Sequence, residues 1–119
     1  MHIVSIIAEY NPFHFGHLYQ IEEIRKHFGT ETAIVAIMSG NYVQRGECAS
    51  FDKFLRAEAA VRCGVNLVLE LPFPFSMSGA GYFADKAVFA IKILPIQIIG
   101  KKGRHICRFF KRKPRAFRY

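Results

Sequence analysis

Three short apolar runs constrain this chain more than any other feature: Ile3–Ala8 (IVSIIA), Ala33–Met38 (AIVAIM) and Val65–Leu71 (VNLVLEL). Each is rich in β-branched or leucine residues and bounded by turn residues, so each reads as a strand buried on both faces. Between the first two, Leu18, Ile21, Ile24 and Phe28 recur at helical spacing, with Glu22, Glu23, Arg25 and Lys26 on the wet side. That spacing predicts an amphipathic helix from His17, capped by Gly29. Before the third run, Ser50 is placed to cap a second helix over FDKFLRAEAAVRC, with Asp52 in its first turn and Gly64 as its stop. Pro72 and Pro74 end the third strand, and a third helix is expected over Gly79–Ile93. This alternation implies a parallel sheet with right-handed crossovers and helices on both faces, an α/β, Rossmann-like three-layer fold.

At 119 residues the chain has room for one domain, and its 51% hydrophobic, 22% charged make-up excludes a disordered segment, a collagen or a coiled coil. No apolar run approaches the roughly 20 residues of a membrane span, so a soluble protein with no membrane partner is expected. Glu9 interrupts the first apolar run and no basic stretch precedes it, which argues against a signal peptide. Cys48, Cys63 and Cys107 are odd in number and lack CxxC spacing, so neither a disulfide partner nor a zinc site is expected. Those thiols fit a reducing, cytoplasmic compartment.

The formal charge of +8 is unevenly spread. Up to Ile91 there are seven Lys or Arg against nine Asp or Glu; from Lys92 to Tyr119 there are ten and none. The chain therefore divides into a nearly neutral body, 1–91, and a basic tail, 92–119. In the tail, Phe109, Phe110, Phe117 and Tyr119 alternate with cations, a composition suited to phosphates and bases, though no recognisable module surrounds it.

In a sheet of this kind ligands bind at the carboxyl ends of the strands. Directly between the first strand and first helix stands His14-Phe15-Gly16-His17, an HxGH pattern. A glycine allows close approach of a phosphate, and a helix start offers free N–H groups and a positive dipole end. Two imidazoles three residues apart can reach one phosphate group and stabilise charge growing on an α-phosphorus. A metal site built on them lacks a third ligand at suitable spacing. Ser39, Gly40, Asn41, Gln44 and Arg45 occupy a second loop at the same sheet edge, and Lys53 and Arg56 begin the second helix. Their donors suit a substrate phosphate or carboxylate, with a solvated charged face as the alternative for Arg45, Lys53 and Arg56. Phe73, Phe75 and Tyr82 could line an adenine pocket or belong to the core. Glu70 is a candidate supporting carboxylate.

Strand, HxGH and helix together resemble the nucleotidylyltransferase superfamily. Four blocks in order, AEYNPFHFGHLYQIEE, MSGNYVQRGE, FDKFLRAEAAVRCGVNLVLELPF and GYFADKAV, resemble the tRNA(Met) cytidine acetate ligase family more specifically, from Ile3 to Val88. The resemblance implies an ATP-dependent ligase. It would form acetyl-adenylate from ATP and acetate and acetylate N4 of the wobble cytidine of elongator tRNA(Met). It further implies that the stretch Ile7, Ala8, Glu9, Tyr10, Asn11, Pro12, Phe13, His14, Phe15, Gly16, His17, Leu18, Tyr19 and Gln20 binds ATP, with His14 and His17 catalytic on the triphosphate. Mg²⁺ is expected from phosphoryl chemistry.

After the third helix the resemblance fades. The family's Phe-Gly-Ser-Glu-like loop has only Gly100 to represent it, and a later phosphate-holding motif and the tRNA-gripping regions are absent. A truncated or frame-shifted copy is the simplest single cause. Such a chain is expected to bind ATP weakly and to turn over slowly or not at all. The alternatives are another HxGH nucleotidylyltransferase, or a non-catalytic fragment with a basic RNA-binding tail.

Overall fold

In the computed structural model of the chain, the residues described are 2–77, 89 and 98–101. Strand β1 (Ile3–Ala8) leads through a loop to helix α1 (Phe15–Phe28), followed by β2 (Ala33–Ser39), helix α2 (Lys53–Arg62) and β3 (Leu67–Leu71). A 3-10 turn follows at Phe75–Met77, and β4 spans Ile98–Lys101. The strand order is β1-β2-β3-β4. The first three are parallel, with Ala8 opposite Met38 and Ser39 opposite Leu71, so their carboxyl ends share one edge. β4 runs antiparallel to β3, which the alternation pattern alone does not foresee.

Two crossovers of one hand, each moving one strand in the same direction, put both helices on one face. The core shows this. Ile6, Ile34, Ala36, Met38 and Val68 of the strands meet Ile21 of α1 and Ala57 and Ala60 of α2 in one buried cluster. The opposite face buries Ile37, Leu67, Leu69 and Leu71, with Ile7, Val35 and Phe75 packed on them. Both faces of β2 and β3 are thus covered, as their continuous apolar character requires. The expected third helix at 79–93 lies outside the described residues except for Phe89, which is helical. The division at 91/92 and the tail from 102 onward lie outside them as well.

The boundaries carry the physics of the caps. β1 matches its expected span, and Gly29 ends α1 with φ 100°, its N–H donating to the Arg25 carbonyl. α1 begins two residues earlier than its apolar spacing indicates, because His14 serves as its N-cap. In α2 the cap is Asp52 rather than Ser50: Asp52 Oδ1 accepts from Phe54 N at 2.8 Å, while the Ser50 N–H donates to Asn11 Oδ1. A carboxylate at this position also meets the positive end of the helix dipole.

No helix among the described residues is long and apolar enough to cross a membrane. Cys48 is exposed and Cys63 half-buried, both as free thiols. Replacing the fully buried Ile34 with alanine is expected to cost about 2–5 kcal/mol in urea unfolding followed by circular dichroism. Phe15→Ala, at a position 88% exposed, is expected to stay within about 0.5 kcal/mol of the parent.

Candidate functional site

The chain leaves β1 at Ala8 and must turn sharply to start α1. Tyr10 makes that turn with φ 48°, a left-handed conformation that costs a side-chain-bearing residue roughly 1–2 kcal/mol. Packing holds it there. Its ring is buried, 4.9 Å from the Phe13 ring and edge-on to His17 at 4.9 Å. Burial pushes the Tyr10 phenol up to about 12, so it stays a neutral hydroxyl. That hydroxyl has no hydrogen-bond partner among the described residues.

The start of α1 is closed by two imidazoles. His14 Nδ1 accepts from the Gly16 N–H at 3.1 Å, and His17 Nδ1 accepts from the His14 N–H at 3.2 Å. This is a reciprocal capping box made with histidines where Ser and Glu are usual. Accepting at Nδ1 assigns the proton of each neutral ring to Nε2. The rings stack at 3.8 Å, so two N–H donors are presented as a pair. Burial first, and His14 second, hold the His17 pKa below the ordinary histidine range, which keeps it neutral near pH 7. Gly16 has a structural reason to be glycine: a Cβ there would stand 2.9 Å from His14 Cε1, against the ring that caps the helix.

The second loop is tied to the first. Glu9 Oε1 accepts from the Gln44 N–H at 2.7 Å, and Asn11 Oδ1 accepts from the Ser50 N–H at 2.7 Å. Lys53 Nζ pairs with Glu70 Oε2 at 2.8 Å, both side chains largely shielded, which joins the start of α2 to β3. The Glu70 carboxylate fills the space beside Gly40 that a Cβ would need. Arg56 departs from a solvated, substrate-facing cation. It is 2% exposed, and its guanidinium donates to the carbonyls of Phe51, Glu9, Ser39 and Gly40. Burial lowers its pKa, an effect that the charges of Asp52, Glu9 and Glu70 oppose.

An open cleft of about 470 Å³ lies over this edge, of a size suited to a small ligand. Of the expected ATP-binding stretch, Ile7 to Pro12, His14, His17 and Gln20 line it, joined by Gln44 from the second loop. Phe13 instead packs on the core, and Phe15 and Tyr19 face solvent. Asn41 and Arg45 are exposed, and Ser39 is fully buried in β2 with its hydroxyl unpartnered among the described residues. Gly100 lies in β4, opposite Val68 of β3. Phe75 packs against the far face and Phe73 is exposed, 5.7 Å from the Tyr42 ring; Tyr82 is outside the described residues. Spacing gave no sign of the pairing of Lys53 with Glu70, seventeen positions apart and on different elements.

Residues 1–100 match the family of HIGH nucleotidyl transferases. The chain belongs to that family. It is 51% identical over 96 residues to the tRNA(Met) cytidine acetate ligase of Syntrophotalea carbinolica, covering 81% of this chain and 23% of that protein. The ligase of the same name from Leuconostoc mesenteroides is 48% identical over 105 residues, 88% of this chain and 27% of that one. Among solved structures, Thermotoga maritima TmcAL bound with alpha-thio ATP superposes with a TM-score of 0.69 at 48% identity, over 77% of this chain and 22% of that one. The chain therefore spans about a quarter of the length of the curated relatives it matches. The fold is the nucleotidyl transferase's partial Rossmann-like sheet, with the cleft at the position where the HxGH turn of this chain leaves β1.

The histidine cap makes a pH prediction. A ring whose pKa is lowered by folding is protonated more readily in the unfolded chain, so its contribution to stability is complete above about pH 6.5. That contribution is lost as pH falls from there through the lowered folded value. Melting measured between about pH 7.5 and 5.5 is expected to fall more steeply for the parent than for His17→Gln. The amide can still accept from the His14 N–H but does not titrate.

Proposed function

We propose that this nucleotidyl transferase chain carries the ATP-binding half-site of a ligase that activates acetate and acetylates N4 of the wobble cytidine of elongator tRNA(Met). The observation that carries the reading is the pair of Nδ1-capped imidazoles at the start of α1, lining the cleft at the carboxyl end of β1. Two Nε2–H donors beside a helix N-terminus form a fixed positive surface for phosphate oxygens. Half-identity to the cytidine acetate ligases, and the likeness to a TmcAL bound with alpha-thio ATP, support ATP as the nucleotide and tRNA(Met) as the acceptor.

In the proposed first step an acetate oxygen bonds to the α-phosphorus of ATP while the bond to the pyrophosphate oxygen breaks. His14 and His17 hold the triphosphate and offset the negative charge that gathers on the leaving group. In the second step the cytidine N4 attacks the acetyl carbon, AMP departs and N4 loses a proton. Mg²⁺ is the cation expected to accompany ATP and offset the charge of its phosphates. The nucleotide's own oxygens are its expected ligands. Such an enzyme works in the cytoplasm, where its tRNA and ATP are found.

Alpha-thio ATP titrated into the chain by calorimetry tests the site. His14→Ala and His17→Ala are each expected to weaken binding about ten- to a hundredfold, more than they lower the melting temperature. Binding unaffected by either change would reject the phosphate role. Exchange of labelled pyrophosphate into ATP tests the chemistry: dependence on acetate supports the ligase, while dependence on a different small acceptor assigns another nucleotidyl transfer.

A further inference from the structure

We infer that Arg56 is a positioning residue of the nucleotide site, setting the spacing between the β1–α1 loop that leads into the two histidines and the β2–α2 loop that faces it. The inference rests on the nucleotide reading above. A buried guanidinium ordinarily needs a carboxylate beside it. Arg56 has none in ion-pair contact among the described residues, where the ion pairs are those of Lys26, Lys53 and Arg62. Its partners are main-chain carbonyls instead, and their locations are informative. Glu9 is the first residue past β1, Ser39 ends β2, Gly40 follows it, and Phe51 directly precedes the α2 cap. Nη1 alone bridges two strand ends, donating to Glu9 O at 2.7 Å and Ser39 O at 3.2 Å.

The influence of Arg56 on the cleft passes through Glu9. The Glu9 carbonyl is held by Arg56, and its carboxylate holds the Gln44 N–H, which brings Gln44 into the cleft wall. The next residue is Tyr10, whose left-handed backbone sets its ring edge-on to His17 at 4.9 Å. Moving the Glu9 carbonyl therefore moves both walls at once, and small displacements in a binding site are costly. Only the planar fork of arginine reaches these carbonyls together; the ammonium of lysine is a single point of donation.

The test uses Arg56→Lys and Arg56→Gln in the full chain, with three readouts: melting temperature, calorimetric affinity for alpha-thio ATP, and the His17 ring titration by NMR. His17→Gln identifies the His17 signal. Arg56→Lys is expected to fold, to bind the nucleotide about tenfold more weakly, and to let His17 titrate closer to an ordinary imidazole. Arg56→Gln is expected to do more of both. A lowered melting temperature with affinity and His17 titration unchanged would make Arg56 a stabilising residue only and overturn the inference. So would failure of both variants to fold. If the parent binds no nucleotide while Arg56→Lys still shifts the His17 titration, positioning stands and the nucleotide reading fails.

Discussion

The first turn of a helix exposes backbone N–H groups that its own carbonyls cannot reach, and the molecule is arranged around how α1 meets that requirement. Imidazoles do it. By accepting at Nδ1, His14 and His17 finish the helix and at the same time become a stacked pair of Nε2–H donors. One set of hydrogen bonds thus builds the fold and prepares the site. Gly16 is small for the sake of the capping ring, and Tyr10 adopts a strained turn to shield His17.

The rest of the sheet edge holds that arrangement in place. The ends of β1 and β2 and the approach to α2 come from distant parts of the chain, and each presents a carbonyl to the Arg56 guanidinium. Arg56 gathers these oxygens, while Glu9, Asn11 and the Lys53–Glu70 pair fasten neighbouring loops. Because the buried charge is satisfied by dipoles from several segments, the loops keep their relation only while all of them are present.

Much of the fold was legible because the strands are apolar throughout and the α1 face repeats at helical spacing. HxGH was legible because its neighbours on either side read as a strand and a helix. What escaped notice depends on tertiary context. Nothing local separates a buried Arg56 from Arg62, which lies exposed on the same helix. Ser50 and Asp52 are both good caps by type, and the hydrogen bond from the Phe54 N–H to Asp52 Oδ1 decides between them. The shared face of α1 and α2 follows from strand order, and neither that order nor the antiparallel course of β4 is encoded in composition.

β1 carries a consequence of a different kind. Among the described residues it pairs with β2 alone, and Ile3 remains 43% exposed. Among the described residues, then, its outer rim is a row of amides and carbonyls with an apolar, uncharged sequence and no proline to blunt it. An edge of that kind is where extended segments pair and aggregation starts.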